Sequence, residues 1–80
     1  MKLEVLGTGC AKCKALTFNT EAAVKALGIE AEVAKVEDIP TIMKYGVMST
    51  PALVIDGRVA LTGSVPSIDE LKALLGKAQP

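Results

Sequence analysis

The sequence predicts an α/β domain with the element order βαβαββα, a four-stranded mixed sheet carrying helices on both faces. Three observations predict it. Two short stretches of alternating polarity, residues 2–6 and 30–36, flank a long run with apolar residues at helical spacing. A continuous apolar run, Ala52-Leu53-Val54-Ile55, leads into Asp56-Gly57, a strong short-range hairpin signal. Further on, Ser67-Ile68-Asp69-Glu70 has the pattern of a capping box ahead of another helical run.

Lys2 to Leu6 reads as the first strand, and Gly7-Thr8-Gly9 breaks it in a tight loop. A helix follows from about Ala11 to Leu27. Cys13, Leu16, Thr17, Thr20, Ala23, Val24 and Leu27 recur at spacings of three and four and share one face. Ala11, Ala15, Phe18, Ala22 and Ala26 form a second apolar stripe beside it, so this helix is expected to be covered on most sides. Gly28 sits where a left-handed residue ends a helix. Residues 30–36 alternate again, with Ala31, Val33 and Lys35 to one side. Asp38 is placed to cap a short second helix, Pro40 fits its first turn, and Gly46 ends it.

Ala52–Ile55 has the composition of a strand buried on both faces. Asp56-Gly57 suits a type I′ turn, which needs positive φ at both positions, and Arg58–Thr62 is the return strand. In the last helix Ser67 and Glu70 each satisfy a backbone N–H of the other's turn. Ile68, Leu71, Leu74 and Leu75 supply the apolar face, and Gly76 closes it. The first two strands, joined through a helix, should be parallel with a right-handed crossover. The second helix makes another crossover, and the last two strands form an antiparallel hairpin.

Eighty residues suit one small domain, 1–80, with a modest core. Half of the residues are hydrophobic, which argues for a packed fold rather than disorder. Phe18 and Tyr45 are the only aromatics, so no stacking platform for single-stranded nucleic acid is on offer. Nine Lys plus Arg balance nine Asp plus Glu, and no basic surplus points to a phosphate backbone. Nucleic acid is therefore not an expected partner. Met1-Lys2-Leu3-Glu4 does not open a signal peptide, and no stretch approaches a membrane span. The expected compartment is the cytoplasm. There, a closely spaced cysteine pair is more often catalytic or metal-binding than a structural staple.

The pair is Cys10-Ala11-Lys12-Cys13, where the first strand's loop enters the helix. A helix N-terminus offers unsatisfied N–H groups and the positive end of the dipole. Both favour a thiolate, so the Cys10 thiol should be more acidic than a free cysteine. Lys12 and Lys14 add positive charge, and Lys12 is expected to make a small tuning contribution. Cys13 lies one turn further in on the core-facing stripe and should be shielded. Two intervening residues allow a disulfide ring, and with it thiol–disulfide exchange through a mixed disulfide.

Three other readings stand beside this one. Both cysteines could be inert core residues. The pair could bind metal: zinc needs four ligands, which one chain with two cysteines and no histidine cannot complete, whereas copper(I) is held by two thiolates. Gly7-Thr8-Gly9-Cys10 has some likeness to the loop of small copper-carrying domains. Those usually place a methionine before the first cysteine and end in a strand. The pair could also be a sensor in a redox-responsive adaptor without turnover.

Ser49-Thr50-Pro51-Ala52-Leu53-Val54 puts a proline immediately before the buried strand. With the cysteine loop and the order of elements, the sequence resembles the thioredoxin superfamily. It is most similar to small, glutaredoxin-sized, thioredoxin-like redox-active disulfide proteins of microbes. The likeness covers nearly the whole chain. It rests on Cys10-Ala11-Lys12-Cys13, on the run from Tyr45 to Ile55, and on Gly63-Ser64-Val65-Pro66-Ser67. It implies a thioredoxin-like fold and a thiol–disulfide oxidoreductase in which Cys10 attacks and Cys13 resolves. It further implies a cis Thr50–Pro51 peptide facing the cysteines. Pro51 would shape a groove, and the backbone of Thr50 would pair with a bound peptide. The implied substrates are disulfide-containing proteins or small thiols. The implied electron source is a thioredoxin-reductase-like enzyme or a thiol reductant. No cofactor and no metal is implied, and a monomer is expected. Ala11-Lys12 replaces the usual Gly-Pro of thioredoxins, so no potential is carried over. Gly63-Ser64 replaces the Gly-Gly-Asp-type element of glutaredoxins.

Among the remaining residues, Tyr45 is expected to pack at the end of the short helix, and Met43 and Met48 to fill the core. Gly63 either ends a strand or permits close backbone approach to a substrate. Glu37 and Asp38 could supply a proton route, a helix cap being the simpler use of Asp38.

Overall fold

Residues 1–9 and 11–78 are described by the computed structural model; Cys10 lies outside the described residues, as do residues 79–80. The strand β1 (Lys2–Leu6) is central, because its alternation gives it two apolar faces to cover. Leu3 and Val5 turn to one side, and Leu6 to the other. The helix α1 (Ala11–Leu27) ends at Gly28, whose φ of 64° is the left-handed conformation expected there. The N–H of Gly28 donates to the carbonyls of Val24 and Lys25, both at 3.1 Å.

The chain returns as β2 (Glu32–Val36), parallel to β1 with Lys2 opposite Glu32 and Leu6 opposite Val36. The strand is two residues shorter than the alternation predicts, because residues 30 and 31 extend past the first pair of the ladder. In the helix α2 (Ile39–Lys44) the Asp38 carboxylate accepts from the Thr41 N–H at 3.2 Å, and Pro40 sits in the first turn. Then follow β3 (Ala52–Ile55), antiparallel to β1, and β4 (Arg58–Thr62), antiparallel to β3. Asp56 and Gly57 join them with φ of 49° and 85°, the two positive values of a type I′ turn.

The helix α3 (Ile68–Ala78) starts on the capping box. The Ser67 N–H donates to Glu70 Oε1 at 3.1 Å, and the Glu70 N–H donates to Ser67 Oγ at 3.2 Å. It does not stop at Gly76 but runs through to Ala78. A helical glycine lowers stability without ending a helix unless the backbone turns left-handed after it.

The sheet order is β2-β1-β3-β4, and the layers follow from it. Leu16 and Ala23 of α1 and Leu71 and Leu75 of α3 meet Leu3, Val5, Leu53 and Ile55 on one face. Ile42 of α2 meets Leu6, Ala52 and Val54 on the other. All four residues of β3 are buried, as a strand covered on both sides requires.

Two burial expectations are overturned. The second apolar stripe of α1 is not covered: Ala11, Ala15 and Ala26 are exposed, and Phe18 is 69% exposed. One side of α1 meets the sheet and α3, and the second stripe lies away from both. Met43 and Met48 do not fill the core either, being 69% and 97% exposed. The short α2 turns only Ile42 fully inward, and Met48 stands on the loop before β3.

Candidate active site

Cys13 is held one turn inside α1 on the stripe it shares with Leu16, Thr17 and Thr20, and it is 5% exposed. The Thr17 hydroxyl donates to the Cys13 carbonyl at 3.0 Å. The flanking Thr8, Gly9, Ala11, Lys12 and Lys14 are all exposed. The first turn of α1 carries no acidic side chain, so Lys12 and Lys14 are not opposed there. Of the two predicted redox residues, Cys10 lies outside the described residues, and Cys13 is buried as its stripe position predicts.

Gly7 is where the strand and the cysteine helix come closest. Its N–H donates to the Val36 carbonyl at 3.0 Å and extends the parallel ladder by one residue. A Cβ on Gly7 would collide with the Sγ of Cys13, and it would lie 3.2 Å from the Cβ of Cys13 and 3.9 Å from that of Thr50. Gly7 has no left-handed φ, so glycine is needed here for space and not for backbone freedom. The same measurement brings Thr50 to the side of Gly7 that faces Cys13. Sequence reasoning saw in Gly7 only a strand breaker.

The Thr50–Pro51 peptide bond is cis. Thr50 is exposed and Pro51 buried, so the segment passes from solvent into the sheet within one residue. The Pro51 carbonyl accepts from the Gly63 N–H at 2.8 Å. Gly63 has a φ of 73°, and a Cβ there would come within 3.3 Å of the Ser49 Cβ. The close approach that Gly63 permits is thus to the chain's own loop, just past the end of β4.

Beside Cys13 lies a small, partly open cavity of about 30 Å³, lined in part by Val5, Gly7 and Gly9. Lys14 and Thr17 reach it from α1, and Lys35 and Glu37 from β2 and the residue after it. The Glu37 Oε1 comes within 3.7 Å of the place a Cβ would take on Gly9, so its carboxylate lies over the loop ahead of the cysteines. The parallel register explains this position. Val5 pairs with Lys35 and Leu6 with Val36, which puts Glu37 level with Gly7. Spacing along the sequence carries no sign of it; only the register does.

Tyr45 is packed at the end of α2, as expected, and its hydroxyl donates to Glu4 Oε1 at 2.9 Å. That hydrogen bond, then burial, then the charge of Glu4 raise the Tyr45 phenol above its usual pKa. This pair lies on the α2 side of the sheet, across from Cys13. Asp38 serves as the helix cap. Among the described residues no three His, Cys, Asp or Glu side chains are grouped to hold a metal ion, and no helix is long and apolar enough to cross a membrane.

Residues 1–76 match the family model described as a thioredoxin domain. The chain is 41% identical over 75 residues to a thioredoxin of Methanothermobacter thermautotrophicus, a match covering 94% of this chain and 97% of that relative. It is 39% identical over 70 residues to a thioredoxin of Methanocaldococcus jannaschii, covering 88% of this chain and 80% of the relative. Its fold is similar to that of thioredoxin 1 from Thermosipho africanus TCF52B, with a TM-score of 0.62 and 23% identity over 98% of this chain and 93% of the other. A cysteine pair at a strand-to-helix loop, a cis proline ahead of a central strand, and kinship over nearly the whole length converge: the chain belongs to the thioredoxin family and is a thiol–disulfide oxidoreductase.

Proposed function

We propose that Cys10 and Cys13 form the redox centre, with Cys10 as the attacking thiolate and Cys13 as the resolving thiol. Cys10 displaces one sulfur of a substrate disulfide and forms a mixed disulfide. Cys13 then attacks the Cys10 sulfur, closes the Cys10–Cys13 disulfide and releases the substrate as a dithiol. A small thiol or a thioredoxin-reductase-like enzyme returns the pair to the reduced state. Lys12 favours the Cys10 thiolate by a small amount, screened by water. An extended segment of the substrate pairs with the backbone at Thr50, and Pro51 shapes the groove wall. The chain acts as a monomer in the cytoplasm on protein or small-molecule disulfides.

The observation that carries this reading is a contrast in exposure. Thr8, Gly9, Ala11 and Lys12 around Cys10 are open to solvent, while Cys13 is 5% exposed. A resolving thiol needs that shielding, and a substrate needs the open approach those four residues leave.

The test is trapping. The Cys13→Ser variant, mixed with a peptide disulfide, is expected to accumulate a mixed disulfide through Cys10, identified by mass spectrometry after proteolysis. The Cys10→Ser variant is expected to form none. A mixed disulfide forming first on Cys13 in the native chain would overturn the assignment.

A further inference from the structure

Met48 is the most exposed large apolar side chain among the described residues, at 97%. Left in water, it forgoes the burial that draws apolar side chains inward. The residues on either side of it are held. Val47 packs against the cluster of Leu6, Ile42, Ala52 and Val54. Ser49 lies against Gly63, where a Cβ would come within 3.3 Å of its own, and the Pro51 carbonyl accepts from the Gly63 N–H at 2.8 Å. The loop is thus pinned before and after Met48, and the fold leaves this one side chain outside. Two trans peptide links separate Met48 from Thr50, so their α-carbons are at most about 7.6 Å apart. Thr50 in turn borders the side of Gly7 that faces the Sγ of Cys13. Met48 therefore stands in solvent beside the segment to which substrate docking is assigned. A methionine side chain is unbranched, flexible and polarizable, which suits a surface that meets partners of different shape. Unlike leucine or isoleucine, it turns polar under a mild oxidant.

We propose that Met48 is an oxidisable apolar contact for substrate: its thioether rests against an apolar side chain of the bound peptide, and its conversion to the sulfoxide by a hydroperoxide weakens that binding. The inference rests on substrate docking at Thr50 and Pro51. In the step, a lone pair on the Met48 sulfur attacks the outer oxygen of the hydroperoxide. The S–O bond forms and the O–O bond breaks. The other oxygen leaves with the electron pair, takes the proton of the transferred oxygen, and departs as water or an alcohol. The sulfur is oxidised by two electrons, and the peroxide is reduced by two. The sulfoxide is polar, so an apolar side chain that lay on the thioether now meets an oxygen left without a hydrogen bond. Met43, 69% exposed, stands on α2 and not on the loop that leads to Thr50, so its oxidation carries no such consequence.

For the experiment the protein is held as its disulfide, which spares the thiols, and treated with hydrogen peroxide. Oxygen gained at each methionine is followed by mass spectrometry after proteolysis. After removal of peroxide and reduction, KM and kcat are measured on two peptide disulfides that carry leucine or serine beside the cysteine. Met48 is expected to gain its oxygen ahead of Met43 and Met1. The KM for the leucine peptide then rises about fivefold or more with kcat within about twofold, while the KM for the serine peptide moves by less than about twofold. Met48→Gln shows the raised KM without peroxide, and in Met48→Leu peroxide no longer changes KM. Oxidation of Met48 no faster than that of Met43, a KM that ignores the sulfoxide, or a rise that persists in Met48→Leu overturns the proposal. Thr50→Arg tests the premise separately, by placing a long side chain at the groove. A raised KM for both peptides upholds docking there whatever Met48 does, and an unmoved KM for both removes the premise.

Discussion

Replacing Gly7 by alanine places a methyl group where the Sγ of Cys13 already sits. The N–H bond from residue 7 to the Val36 carbonyl survives, and φ is not left-handed, so the cost is purely one of space. Neither partner has an easy retreat. Gly7 is the buried continuation of the central strand, and Cys13 is 5% exposed inside a helix packed on the sheet. Forcing a methyl into a packed interior costs about 1–3 kcal/mol. Against it stands the about 0.4–1 kcal/mol gained when alanine restricts the unfolded chain. The expected net loss is about 0–2.6 kcal/mol, centred at about 1.3, a sizeable fraction of the ~4–12 kcal/mol usual for a domain this long. Urea unfolding of the reduced protein reads it as a lower midpoint with an unchanged slope. A double-mutant cycle identifies the cause: in a Cys13→Ala background the sulfur is gone and the penalty should shrink to within about 0.5 kcal/mol of zero. An undiminished penalty in that background, or none in the native one, would show that the contact with Sγ is not what holds residue 7 to glycine.

Three further outcomes are expected. Thr20 is fully buried in α1, and its hydroxyl has no hydrogen-bond partner among the described residues, so Thr20→Val should stabilise by about 1 kcal/mol in thermal or urea unfolding, and a loss would reveal a partner for that hydroxyl. Ser67→Ala removes the side-chain acceptor that starts α3 and should cost about 1 kcal/mol, with Glu70→Ala in the same chain adding less than its single cost because the two bonds are reciprocal. The Tyr45 phenol, raised first by its hydrogen bond to Glu4, favours the folded state below its ordinary value near 10. That contribution is lost as pH rises through the folded-state pKa, so Glu4→Gln should bring the tyrosinate absorbance titration to lower pH, and an unmoved curve would dissociate Tyr45 from Glu4.

What was legible in the sequence was what is decided locally. The capping box, the Asp56-Gly57 turn and the left-handed Gly28 each depend on a few neighbouring residues, and each formed where it was read. The alternation of Lys2–Leu6 also held, because one strand's pleat sorts its own side chains. The misreadings concern what covers what. Phe18, Met43 and Met48 are apolar, and hydrophobicity says that a side chain gains from burial without saying that a partner exists. The site was legible in the same proportion. Cys13 and the cis Thr50–Pro51 bond followed from motif and resemblance. Gly7 against Cys13, and Glu37 on the cavity wall, depend on strand register and on how α1 lies over β1, and no spacing within the sequence encodes either.

Because Cys13 is packed like a core residue, its chemistry and the stability of the fold are linked quantities. The free energy of unfolding can be measured on the dithiol form and on the disulfide form. The change that a substitution makes in one, less the change in the other, must equal its shift in reduction potential. Gly7→Ala makes the linkage measurable, since its methyl meets the sulfur that changes bonding in the proposed Cys10–Cys13 couple. A cost of about 1.4 kcal/mol confined to the dithiol form lowers the potential by about 30 mV, whereas an equal cost in both forms leaves it where it was. The potential of the variant, set beside its two unfolding curves, therefore says whether the space beside Gly7 is a constraint of the fold alone or one that also sets how readily the cysteine pair is oxidised.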